Sequence, residues 1–96
     1  MSLHRINAKR DISEPDIIET LQKHGAVVHR VSGKGIPDLL IGYKGRTYLA
    51  EAKTGKRGLN KNQVKFFEEW RGFPPVIFRT VDDVIEWINS PSARGV

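Results

Sequence analysis

The chain has no cysteine, which removes disulfide frameworks and thiolate metal sites together. Its three histidines, His4, His24 and His29, are too few and too scattered for a zinc centre. Long apolar runs are missing as well. None approaches the roughly 20 residues of a membrane span, and the opening MSLHRINAKRD lacks the apolar centre of a signal peptide. A soluble cytoplasmic protein is the expectation. Repeats and low-complexity segments are also absent, and 96 residues suffice for one modest core but not two. Acid is scarce in one particular place. Between Glu51 and Glu68 the only charged residues are Lys53, Lys56, Arg57, Lys61 and Lys65. With a net charge of +5, this basic stretch points to a polyanionic partner, although a solvated lysine-rich loop has the same composition.

What is present reads as a basic arm over residues 1–12, one domain over 13–89 and a frayed tail over 90–96. Ser13 as N-cap, Pro15 in the first turn and Gly25 just past the end mark a first helix. Ile17, Ile18 and Leu21 form its apolar stripe, and Glu14 lies on that same stripe. Strands are expected at 26–31, 38–43, 46–53 and 76–79, with Pro37 confined to a strand start. Asn60 or Asn62 caps a second helix running to Trp70, with Gln63, Phe66, Phe67 and Trp70 on one face. The three aromatics are expected in a core or interface and not as base-stacking platforms. Thr80 with Asp83 opens a last helix, whose apolar face is Val81, Val84, Ile85 and Ile88. The order α-β-β-β-α-β-α calls for an α/β fold, a mixed sheet flanked by helices.

The chemistry centres on IPDLLIGYKGRTYLAEAK, residues 36–53. With Lys44-Gly45 as a two-residue turn, opposed residues have numbers summing to 89. Asp38 then faces Glu51, and alternation places Asp38, Leu40, Leu49, Glu51 and Lys53 on one face. Opposed carboxylates repel unless something positive lies between them. All-oxygen ligation suits a hard cation, Mg²⁺ or Mn²⁺, and Lys53 can reach the same substrate atom as the metal. A plain salt bridge from Lys53 to one of the acids is the alternative. His29 and Arg30 lie on opposite faces of their strand, so one of them faces the cleft.

Pro37-Asp38 followed by Glu51-Ala52-Lys53 reproduces the PD-(D/E)XK nuclease signature. More narrowly, GIPDLLIGYKGRTYLAEAKTG resembles the virus-type replication-repair nuclease (VRR-NUC) domain. The resemblance runs from about Asp11 to Ile88 and includes SEPDIIETLQKHGA, NQVKFFEEW and VIFRTVDDVIEWI. It implies a restriction-endonuclease-like αβββαβ core with an added C-terminal helix. It also implies a Mg²⁺-dependent endodeoxyribonuclease, with Mn²⁺ able to substitute, that leaves a 5′-phosphate. Asp38 and Glu51 become metal ligands and the Ala52 backbone carbonyl a further one; Ala52 itself replaces the more usual valine. Lys53 orients water or stabilises phosphate charge. Glu14 completes the metal site directly or through water, unless it merely favours the helix N-terminus. Gln63 supports the site, unless it is only half of a capping box. Lys34, Lys56, Arg57 and Lys61 are the DNA-backbone candidates, although Lys34, between two glycines, reads more as a solvated loop lysine. Stand-alone members of the family are associated with branched DNA such as four-way junctions. Paired cuts in such a junction call for a homodimer, in host cytoplasm if the chain is viral. The competing expectation is a catalytically inactive nucleic-acid-binding module on the same fold.

Overall fold

The computed structural model describes residues 14–53 and 58–90. The basic arm, the Ser13 cap, Lys56, Arg57 and residues 91–96 lie outside the described residues. Seven elements follow in order: α1 (Glu14–Lys23), β1 (Val27–Arg30), β2 (Leu39–Tyr43), β3 (Arg46–Ala52), α2 (Lys61–Glu69), β4 (Val76–Phe78) and α3 (Val81–Ile88). The strands form one four-stranded sheet in the order β1-β2-β3-β4. The first two pairings are antiparallel and β3–β4 is parallel. The expected α/β class, element order and mixed sheet are all present. The parallel pair needs a crossover, and α2 supplies it.

Alternation along the strands sorts the residues onto two faces. Leu39, Ile41 and Tyr43 of β2, Tyr48 and Ala50 of β3, and Phe78 of β4 are buried together with Ile17 and Leu21 of α1 and Val84, Trp87 and Ile88 of α3. α1 and α3 therefore cover one face, and the core lies beneath them. Trp87 binds three strands at once. Its ring lies 5.8 Å from Tyr43, 4.9 Å from Tyr48 and 5.7 Å from Phe78, the last two edge-on, a favoured arrangement for aromatic quadrupoles. This rotates the buried stripe of α3 away from the sequence expectation. Val81 is exposed and Trp87, six residues further on, takes its place, its large ring reaching the edge of Tyr48.

The helix ends follow from local chemistry. α1 closes with the Gly25 N–H on the Gln22 carbonyl and the Ala26 N–H on the Leu21 carbonyl, the paired bonds of a Schellman motif. Both α2 and α3 open with complete capping boxes, Asn60 with Gln63 and Thr80 with Asp83. Lys44 and Gly45 have φ of 50° and 80°. Positive values at both central residues give the type I′ turn whose twist matches the flanking strands.

α2 lies on the other face of the sheet and is attached differently. Its only buried residue is Gln63. Phe66 and Phe67 are half-buried and Trp70 is exposed, so the aromatic face expected for a core or interface does not enter the core of the chain. A polar side chain anchors this helix, and its partner is Glu51.

Candidate functional site

The Lys44-Gly45 turn fixes the register, and every β2–β3 pair from Tyr43–Arg46 to Leu39–Ala50 sums to 89 as expected. In an antiparallel ladder, hydrogen-bonded pairs alternate with closer, non-bonded ones. Counting from the bonded pair beside the turn, Leu40–Leu49 is non-bonded. One step further along that face stand Asp38 and Glu51, in the class with Cα separations of about 4.5 Å. The next bonded pair would be Pro37 with Ala52, but proline has no N–H. The ladder accordingly stops at Leu39–Ala50. The Ala52 N–H turns to Asp38 Oδ2 at 3.3 Å, and the Ala52 carbonyl, on the same edge of the strand, meets no donor from Pro37. Lys53 and Phe78 continue the pairing on the opposite edge, through Lys53 N–H to the Phe78 carbonyl at 3.0 Å.

Glu51 is 3% exposed. Its Oε2 accepts a hydrogen bond from Gln63 Nε2 at 2.8 Å, while its buried Oε1 has no hydrogen-bond partner. A buried carboxylate oxygen left in this way is costly. Burial pushes the Glu51 pKa from 4.5 up to about 7, and the neighbouring Asp38 charge adds to the rise; Lys53 and the Asp38 N–H pull it back. The plain salt bridge is not what forms. The ion pairs among the described residues are Lys23–Glu19, Arg30–Glu14 and Lys65–Glu69, and Lys53 acts on Glu51 through its charge without closing to a pair.

Gln63 makes the capping-box contact and a contact to Glu51 together. Its Oε1 accepts from the Asn60 N–H at 2.9 Å within the capping box, and its Nε2 holds Glu51. Glu14 is placed elsewhere. It binds Arg30 Nε at 2.9 Å, and Arg30 pairs with core residue Leu39, which puts it on the face covered by α1. His29 pairs with Leu40 and so shares the carboxylate face. Lys34 and Lys61 are exposed. Lys34 borders a groove of about 310 Å³ with Asn62, Lys65 and Phe66. Gly35, at φ 79°, packs so tightly on α2 that a Cβ there would strike the Asn62 carbonyl.

Among the described residues, no three acidic or histidine side chains gather at one point. The site offers two carboxylates, one of them with an unpartnered buried oxygen, and a backbone carbonyl without its ladder donor. That donor set fits a hard divalent cation that keeps several waters, as Mg²⁺ does. Sequence reasoning missed what lies beside the pair, from Leu40–Leu49 on the carboxylate face to the edge of β3 at Arg46, which pairs with core residue Tyr43. A groove of about 720 Å³ is lined by residues including Leu40, Leu49, Arg46, Trp70, Arg71 and Phe73. Its signal was the apolar Leu40–Leu49 pair on a sheet face with little helix to cover it. Compared with protein-family models, curated proteins and solved structures, the chain has no match.

Proposed function

We propose that this chain is a metal-dependent DNA endonuclease of the VRR-NUC type within the PD-(D/E)XK superfamily. One observation carries the reading: the buried Glu51 carboxylate, with an oxygen lacking any partner, stands beside Asp38 where a proton or a cation is needed between them. Asp38, Glu51 and the Ala52 carbonyl would hold Mg²⁺ or Mn²⁺. When bound, such an ion polarises a phosphate oxygen and lowers the pKa of its water. Lys53 donates to a non-bridging phosphate oxygen and offsets the negative charge that grows during attack. Gln63 fixes the rotamer of Glu51, so the carboxylate is oriented before substrate arrives. Glu14 joins the site only by leaving Arg30.

Lys34 and Lys61, with Lys56 and Arg57, contribute backbone charge without base readout, so binding weakens steeply with salt. With no element suited to reading a base sequence, DNA structure becomes the target, branched DNA such as four-way junctions first. Matched cuts in a junction then call for a symmetric homodimer, which light scattering at micromolar concentration tests.

The decisive experiment is a panel of linear, flapped and four-way DNA in Mg²⁺ and in Mn²⁺. Cleavage of at least one form is expected, with Asp38→Ala and Lys53→Ala abolishing it while DNA binding survives. If every form stays uncut by wild type in both metals, the enzyme reading fails. The Glu14–Arg30 pair, which withholds a third carboxylate, favours the second reading: a nucleic-acid-binding module without catalysis.

A further inference from the structure

The groove beside the carboxylates has a composition that metal binding does not use. Its floor is the Leu40–Leu49 cross-strand pair. That pair lies two residues, about 7 Å, from Asp38 and Glu51 along the same sheet face. Its wall is the turn after α2, where Trp70 and Phe73 are each 42% exposed. Both rings are held in place. Trp70 stacks on Phe66 at 5.1 Å with 19° between the planes, and Gly72 lies so close that a Cβ would come within 2.8 Å of the indole Nε1. Phe73 stacks on buried Tyr48 at 5.2 Å and carries the Arg46 guanidinium 5.9 Å from its centroid. Arg71 is fastened to the end of α2, donating to the Glu68 and Glu69 carbonyls at 3.4 and 2.9 Å. Among the described residues, no carboxylate lines the groove.

Preset aromatic rings, an aliphatic floor and two arginines without an acid form a surface for flat apolar groups joined by negative charge. We infer that this groove binds an unpaired nucleotide, its base against Trp70 and its phosphates toward Arg46 and Arg71, beside the phosphate to be cut. The inference deepens the proposed nuclease function and rests on it for orientation: the preferred substrate has a single-stranded segment at the site. Duplex bases are already stacked on one another and cannot use a protein ring, whereas single strands stack on aromatic side chains irrespective of sequence. A second copy of the chain is a poorer occupant, since each copy brings a net charge of +5 toward a rim that is itself cationic.

The test uses the full chain in EDTA, so that binding is read without cleavage. Labelled oligo-dT, a strand of the same length with every position abasic, and a duplex of equal length are titrated by fluorescence anisotropy. Oligo-dT should bind more tightly than duplex and quench tryptophan emission, since Trp70 is exposed while Trp87 is buried. Trp70→Ala should weaken oligo-dT binding about 10-fold, within the roughly 5- to 150-fold range of one base–aromatic stack, and Trp70→Phe should recover most of it. The abasic oligonucleotide should bind Trp70→Ala and wild type alike, a coupling that a merely structural role for the ring does not produce. Equal loss for duplex and single strand would overturn the inference. So would a wild-type dimer in sedimentation that Trp70→Ala converts to monomer, because a second copy then covers the groove. The two proposals fail separately: uncut DNA in Mg²⁺ and Mn²⁺ defeats the nuclease reading, while these EDTA titrations judge only the groove.

Discussion

Glu51→Gln is expected to make the metal-free protein more stable at pH 8 and to leave it almost unchanged at pH 5. In the folded chain, burial and then Asp38 raise Glu51 from 4.5 to about 7. An acid raised in this way keeps its proton in the folded state across a window where the unfolded chain has lost it. Its favourable contribution is complete below about pH 4.5, declines as pH climbs toward 7, and is gone above that. At pH 8 the native state therefore carries two facing carboxylates, one of them with an unpartnered buried oxygen. The full span corresponds to roughly 3 kcal/mol, and water reaching the half-buried Asp38 lowers this to about 1–3 kcal/mol. A glutamine has the same shape, accepts from Gln63 with its carbonyl, and turns its amide toward Asp38. Carboxylates other than Asp38 cancel in the comparison, so the difference between the two proteins reports Glu51 together with its Asp38 neighbour.

Urea unfolding of both proteins at pH 5 and pH 8 in EDTA measures this directly, and millimolar Mn²⁺ should invert it. Wild type gains about 2.7 kcal/mol at a hundredfold excess over its dissociation constant, while Glu51→Gln gains little. Because the cation competes with the Glu51 proton, the apparent Mn²⁺ affinity of wild type should also climb between pH 5 and 7 and level off above. A variant no more stable than wild type at pH 8, or equally stabilised at both pH values, would refute the reasoning.

Three further outcomes separate the parts of the site. Asn60→Ala removes only the helix cap and should cost about 1 kcal/mol. Gln63→Ala also strips the buried Glu51 carboxylate of its donor, which should cost about 1–3 kcal/mol more and lower Mn²⁺ affinity roughly 10- to 100-fold, read by calorimetry on both variants. Lys44→Asn should stabilise the hairpin by about 0.5–1 kcal/mol, because asparagine tolerates the left-handed backbone that Lys44 adopts at φ 50°; the melting temperature should rise by several degrees. Gly35→Ala should destabilise by about 1–3 kcal/mol. Hydrogen exchange should then show faster opening of α2, since the new Cβ would press on Asn62.

The hairpin was legible because two signals agree on it. A two-residue turn with glycine sets the register, and alternation then sorts every side chain, so the pairing of Leu40 with Leu49 followed by counting. Helix starts were legible for a similar reason: the capping residues of α2 and α3 act on their own neighbours. What depended on distant partners was not. Trp87 displaces Val81 from the buried stripe only because Tyr43, Tyr48 and Phe78 converge beneath it. Glu14 shares a stripe with Ile17 and Leu21, yet nothing in that stripe reveals that Arg30 waits at the end of β1. The groove was hidden for the same reason, because Trp70 looks like a core or interface residue until the helix it ends turns out to be anchored by a glutamine.

That glutamine ties the parts together. α2 fully buries no apolar side chain, Phe66 and Phe67 being half-buried, so its place on the sheet also depends on Gln63 meeting Glu51 and on Asn62 packing over Gly35. The same helix carries Lys61 and Lys65 and ends in Trp70, so these lysines and the groove wall move with whatever holds Gln63. A charged Glu51 accepts the Gln63 donor more strongly than a protonated one does, but burial and Asp38 oppose that charge. A cation between the two carboxylates removes the opposition. Under the proposed reading, metal binding and the docking of α2 become one equilibrium, and slower exchange of the α2 amides in Mn²⁺ than in EDTA, lost in Gln63→Ala, is the expected signature.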